Sequence, residues 1–325
     1  MFKSSILAAL GAAVMLTGLT PMTASAQSTG SNIPGTATGA QSQSPVDGSA
    51  VEATEQNARQ RREARNRANP PPPTAAENLA AAQALATATS TPCQVTSAEL
   101  RGVTPAQEKL YEAICATGPG FIFVSSTPPV AADCVLLAGQ AEIERARDPA
   151  ADVGTQCANP VNLDVLRVVS AYAAEAGVAC TPDQGSSIGR SGAGNLIYEV
   201  GCNGTDGYWL ERTPTGWKKT ECLEIVGQNG RCRFSTTAEQ VATLKGRFVG
   251  DADAAACDPT EARYMGANAN GSFYEAKCAD GKGIIVRFDN AYAVQQVYPC
   301  EVAQRIGGGC KLTVVPEAAA PPAAP

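Results

Sequence analysis

Twelve cysteines fall into three sets of four, and their spacing constrains the fold more than any other feature of the chain. Cys180, Cys202, Cys222 and Cys232 are separated by 22, 20 and 10 positions, and Cys257, Cys278, Cys300 and Cys310 by 21, 22 and 10. Cys93, Cys115, Cys134 and Cys157 keep the first two intervals at 22 and 19 and stretch the third to 23, as an inserted loop would. A fixed long period is the signature of one supersecondary unit used repeatedly.

The residues around each second cysteine agree with this period. Tyr111-Glu112-Ala113-Ile114-Cys115, Tyr198-Glu199-Val200-Gly201-Cys202 and Tyr274-Glu275-Ala276-Lys277-Cys278 read as strands. Alternation puts Tyr, Ala or Val, and Cys on the buried face and the glutamate on the other. A Gly-bearing turn follows each, then a β-rich run: Phe121 to Val124, Tyr208 to Leu210, Ile284 to Phe288. That is a hairpin signal. A second turn, such as Thr213-Pro214-Thr215-Gly216, leads to a fourth strand ending at Cys222 or Cys300.

Ahead of each first cysteine stands a helix signal. Thr74 with Glu77 and Thr236 with Glu239 have capping-box spacing, and Asn159-Pro160 is a cap followed by proline in the first turn. Val165, Leu166, Val169 and Tyr172, and again Val241, Leu244 and Phe248, form apolar stripes. The fold class expected is therefore α+β: three tandem units, each one helix packed on a four-stranded antiparallel sheet and stapled by disulfides. The units span residues 74–157, 158–232 and 233–312. Residues 27–73 read as a disordered low-complexity arm and 313–325 as a disordered Pro/Ala tail.

Local antiparallel geometry brings each first cysteine to its second, which leaves the third for the fourth. The expected bridges are Cys93–Cys115, Cys134–Cys157, Cys180–Cys202, Cys222–Cys232, Cys257–Cys278 and Cys300–Cys310. A unit of this size has a marginal core, so bridges worth roughly 3 kcal/mol each decide whether it folds. Such cysteine usage belongs to an oxidising compartment. The first 26 residues agree: Lys3, an apolar run from Ile6 to Leu19, and Ala24-Ser25-Ala26 compose a signal peptide with cleavage after Ala26. A periplasmic or secreted protein with no membrane span after cleavage is expected.

The chain has no histidine, which excludes Ser-His-Asp and Cys-His nucleophile systems. Its formal net charge is −6, unfavourable for gripping a phosphate backbone, so no nucleic-acid partner is expected. The one basic cluster, Arg59, Arg61, Arg62, Arg65 and Arg67, lies in the low-complexity arm. Glu112, Glu199 and Glu275 are the obvious candidates for carboxylate chemistry. A position repeated in every copy does not suit an acid and a base that need different environments, so a solvated strand face is the expectation. Asp251, Asp253, Asp258 and Glu261 gather around Cys257 without an EF-hand pattern. Gly307-Gly308-Gly309 reads as a flexible turn inside a small disulfide loop. Tyr208, Trp209 and Trp217 share one hairpin and are the candidate binding surface.

The helix, the strand ending in Tyr198-Glu199-Val200 and the Gly turn before the next strand resemble the PepSY type of domain. Tandem disulfide-bearing units of this size are similar to β-lactamase inhibitor proteins, and the whole pattern resembles secreted bacterial proteins with Tyr-Glu-Val-x-Cys repeats. The resemblance implies binding or inhibition and carries over no catalytic residue. The reading is a non-enzymatic binding protein with no catalytic, cofactor or metal residues, whose partner is an envelope protein or polymer. A carboxylate-dependent envelope hydrolase and a structural spacer or protein inhibitor are the alternatives.

Overall fold

The computed structural model describes residues 55–63 and 72–314. The signal segment, most of the arm and residues 315–325 lie outside the described residues, as do Arg65 and Arg67. One part of the arm departs from the expectation of disorder: residues 55–63 form a helix, α1. Its Glu, Gln, Arg and Ala are strong helix formers, and no glycine or proline interrupts them. Arg59, Arg61 and Arg62 on it are solvent-exposed.

The three modules lie in the second compact unit, from Pro71 onward. In the first, α2 (Ala75–Ala88) precedes β1 (Val95–Val103), β2 (Lys109–Cys115), β3 (Phe121–Val124) and β4 (Val130–Asp133), and α3 (Cys134–Arg147) follows. In the second, α4 (Pro160–Leu163) and α5 (Val165–Glu175) precede β5 (Pro182–Arg190), β6 (Leu196–Cys202), β7 (Thr205–Thr213) and β8 (Gly216–Glu221), and α6 (Cys222–Gly227) follows. In the third, α7 (Thr237–Phe248) and α8 (Ala252–Ala255) precede β9 (Pro259–Asn268), β10 (Gly271–Cys278), β11 (Gly283–Phe288) and β12 (Val294–Pro299). Each sheet is an antiparallel meander with its strands in chain order.

Thr74 and Thr236 form complete capping boxes with Glu77 and Glu239, and Asn159 caps α4 through the Val161 N–H. These caps satisfy amides that a helix start leaves without partners. The motif tyrosine lies opposite Leu100, Ser187 or Tyr264 on the first strand, seven positions past the first cysteine in every module. A register shift follows in each, at Gly102, Gly189 or Gly266. Gly189 and Gly266 have φ of 125° and 128°, which a side chain would oppose.

All twelve cysteines are paired, each first with its second and each third with its fourth. The first bridge of each module lies at the sheet's end, between the helix-to-strand turn and the end of the second strand. Val168, Val169, Tyr172 and Ala173 of α5 bury against Tyr198, Val200 and Leu210, and the other modules repeat this arrangement.

Helices α3 and α6 begin at the third cysteine of one module and pack on the first strand of the next, α3 on β5 and α6 on β9. The residue after that cysteine enters the next module's core: Val135 joins the second and Leu223 the third. Five positions past the cysteine each helix carries a glycine at the crossing. A Cβ on Gly139 would lie 2.2 Å from the Ser187 carbonyl oxygen, and one on Gly227 would lie 2.8 Å from the Tyr264 Cβ. Ser187 and Tyr264 are the residues opposite the motif tyrosines, so the two junctions are the same joint. The third module has Glu301 and Arg305 where the others have the apolar residue and the glycine, and the chain there forms turns instead of a helix. Among the described residues the third module therefore carries no counterpart of this joint.

Candidate functional site

The three motif glutamates are not on a solvated face. Glu112, Glu199 and Glu275 are 3%, 1% and 0% exposed. They do point away from the main helix, but the segment closed by each module's third and fourth cysteines folds over that second face. The two amides following the fourth cysteine bond to the carboxylate. Ala158 and Asn159 donate to Glu112 at 3.0 and 2.8 Å. Arg233 and Phe234 donate to Glu199, and Lys311 and Leu312 donate to Glu275 at 2.7 Å each. An arginine completes each clamp: Arg101 for Glu112, Arg233 for Glu199 and Arg263 for Glu275. A buried carboxylate persists when amides and a guanidinium replace its hydration. The short disulfide loop and the glutamate therefore act together to cover the sheet.

The same geometry brings each glutamate oxygen within 4.8 Å of its two cysteine sulfurs. These sulfurs are bonded to each other, and metal sites use thiolates, so the donor set does not suit a cation. Three of the four acids around Cys257 have other partners. Asp251 caps α8, Asp258 meets Lys245 at 2.6 Å and Glu261 meets Lys277 at 2.7 Å. All three of Gly307, Gly308 and Gly309 have positive φ, and the Gly309 carbonyl accepts from Arg263 at 2.9 Å. That turn thus steadies the third clamp's arginine.

A polar network lies where the second module meets the third. Asp206, 1% exposed, accepts from the Leu223 N–H at 2.8 Å and from the Ser235 hydroxyl, while its own N–H donates to Thr243 at 2.7 Å. Glu221 pairs with Arg247, whose guanidinium lies 3.7 Å from the Tyr292 ring centroid. Tyr274 donates to Glu224 at 2.9 Å. Burial pushes the Asp206 carboxyl up to about 6, against the pull of Ser235 and the Leu223 amide, and burial raises Glu221 as well. Asp206 thus holds its proton more tightly folded than unfolded. Its ionisation costs stability as pH rises from about 4 through 6, on the order of 2–3 kcal/mol in all. Asp206→Asn should match the wild type in urea unfolding near pH 4 and exceed it near pH 7.5. A difference that does not change with pH would contradict this.

Tyr208, Trp209 and Trp217 share the β7–β8 hairpin but not one face. Tyr208 and Trp217 pack on the α5 side, where Trp217 lies 5.0 Å from Tyr172 between ring centroids and its Nε1 donates to Glu175 at 3.0 Å. Trp209 projects from the opposite face, directly across from Glu199. In the other modules the residue across from the glutamate is Ile122 or Ile285, 3% and 0% exposed. Trp209 is only half-buried. It lines a half-open cleft of about 300 Å³ between that sheet face and the α6 segment, with Ile197, Thr220, Lys218, Ile225 and Gln228 among its walls.

Fold and site together define a tandem array of three disulfide-stapled α+β modules, each closed by a buried glutamate clamp. No protein family, curated protein or solved structure matches the chain. Among the described residues no helix is long and apolar enough to cross a membrane.

Proposed function

We propose that this is an exported, non-enzymatic binding protein of the cell envelope, whose recognition site is the Trp209 cleft of its second module. One observation carries the reading. Three copies share a scaffold, and the position across from the clamp glutamate is a buried isoleucine in two of them and a half-buried tryptophan beside an open cleft in the third. A scaffold's own needs are met by isoleucine, so the departure asks for another explanation, and a concave site with a large amphipathic ring suits ligand binding. Six disulfides and the signal-like first residues support export.

The same structure weakens the case for a carboxylate-dependent hydrolase. Glu112, Glu199 and Glu275 are enclosed and committed to backbone amides, so no substrate bond reaches them without opening the clamp. Replacing Trp209 by isoleucine restores the residue used in the sibling modules and should leave folding intact. Captured envelope material should fall about tenfold or more in pull-downs with Trp209→Ile, in line with the loss of an aromatic anchor. Equal recovery by the two proteins would sink the cleft as the recognition site.

A further inference from the structure

Resting on that reading, we infer that the Trp209 cleft binds a neutral pyranose unit of a polysaccharide. The walls that surround the ring are chiefly hydrogen-bonding side chains: Glu211, Lys218, Thr220, Glu224 and Gln228, with Ile197 and Ile225 as the apolar remainder. A sugar presents hydroxyl edges and an apolar C–H face, which is the combination that one aromatic ring and a rim of planar amide, carboxylate and hydroxyl groups satisfies. The cleft's size lies at the small end for ligand sites and fits a single ring of a chain better than a large hydrophobic ligand.

The rim is pre-positioned by contacts outside the cleft. Glu211 is held by Asn195 Nδ2 at 2.9 Å, and that bond keeps its carboxyl below the usual range. Glu224 is held by the Tyr274 hydroxyl at 2.9 Å. Both carboxylates are therefore fixed in place as acceptors for ligand hydroxyls.

The competing ligand classes fit less well. Two carboxylates against one ammonium disfavour an anionic sugar or a phosphate. An extended peptide gains most by pairing with a free strand edge, and this cleft opens on the face of a sheet, under the α6 segment. A lipid chain needs a longer and drier groove than these polar walls make.

The test uses the full mature chain and two probes, the β-1,4-linked tetramers of glucose and of N-acetylglucosamine. The chain has two tryptophans, so Trp217→Phe leaves Trp209 as the sole emitter. Titration of this variant should give a saturable change in tryptophan emission with at least one tetramer. Isothermal calorimetry should show binding to the wild type that weakens about tenfold or more in Trp209→Ile. Binding of neither tetramer, or binding that Trp209→Ile leaves unchanged, would overturn the assignment. If the tetramers fail while capture of envelope material still requires Trp209, the sugar assignment falls and the binding site stands. If both lose their dependence on Trp209, the two fall together.

Discussion

Glu275→Ala is expected to destabilise the third module by about 3–5 kcal/mol, the range for removing one partner from a buried, hydrogen-bonded charge pair. The carboxylate is fully enclosed and receives the Lys311 and Leu312 amides and two nitrogens of Arg263. Alanine leaves the two amides and the Arg263 Nε without an acceptor inside the fold, and strands a guanidinium that is mostly buried and keeps only its bond to the Gly309 carbonyl. Glu275→Gln keeps an oxygen for the two amides but turns an NH2 group toward Arg263, so its loss should be smaller. Urea unfolding under oxidising conditions measures the difference. Hydrogen exchange locates it, since the Lys311 and Leu312 amides should lose their protection in the alanine variant. A change below about 1 kcal/mol would mean that the carboxylate behaves as a solvated surface group. The same substitution at Glu112 or Glu199 should act in the same direction, because the clamp amides occupy the same offset from the fourth cysteine.

Gly139→Ala should break the joint between the first and second modules. The added methyl would sit 2.2 Å from the Ser187 carbonyl oxygen, which belongs to a hydrogen-bonded strand and cannot yield. Helix α3 must lift, and Val135 leaves the second module's core with it. Overpacking of this kind costs about 1–3 kcal/mol, and the cavity left by Val135 adds to it. Coupling between modules is a nearest-neighbour interaction in a repeat array, so its loss appears as lost cooperativity. Scanning calorimetry should show one transition in the wild type and two in the variant. Gly192→Ala provides the control, since a Cβ there meets nothing within 4 Å. Unchanged cooperativity in Gly139→Ala would show that the modules unfold independently and that the linker helix is not the coupling element.

Both predictions concern features that local patterns in the chain do not reveal, and the reasons differ. Strand alternation puts the glutamates on the face opposite the main helix, where the structure has them, because it is a local property of the backbone. Their burial is not legible, since it depends on where a loop 34 to 47 residues later comes to rest. The linker helices left fainter marks. Asp133 before Val135 and Leu136 is a cap ahead of an apolar run, and Asp133 does accept both amides. Helix α6 has only six residues and no side-chain cap, so local rules say little about it. The apolar residue and the glycine at fixed offsets from the third cysteine were in plain sight at Val135 and Gly139 and at Leu223 and Gly227. Their meaning appears only once a neighbouring strand is seen to lie against them. The aromatic hairpin shows the same limit: adjacency in sequence placed Tyr208, Trp209 and Trp217 together, and the pleat divided them between two faces.

By itself the sequence determined the repeat, the α+β class, the helix starts and the antiparallel meander. Each of these follows from spacing, capping and alternation, which are interactions between near neighbours in the chain. Tertiary structure alone decided that the second sheet face is covered, that modules interlock through a helix lent by the preceding one, and that one copy leaves a tryptophan half-buried where its siblings enclose an isoleucine. Those outcomes depend on which distant surfaces meet, and a buried carboxylate or a glycine at a crossing acquires its role only from the atoms that close around it.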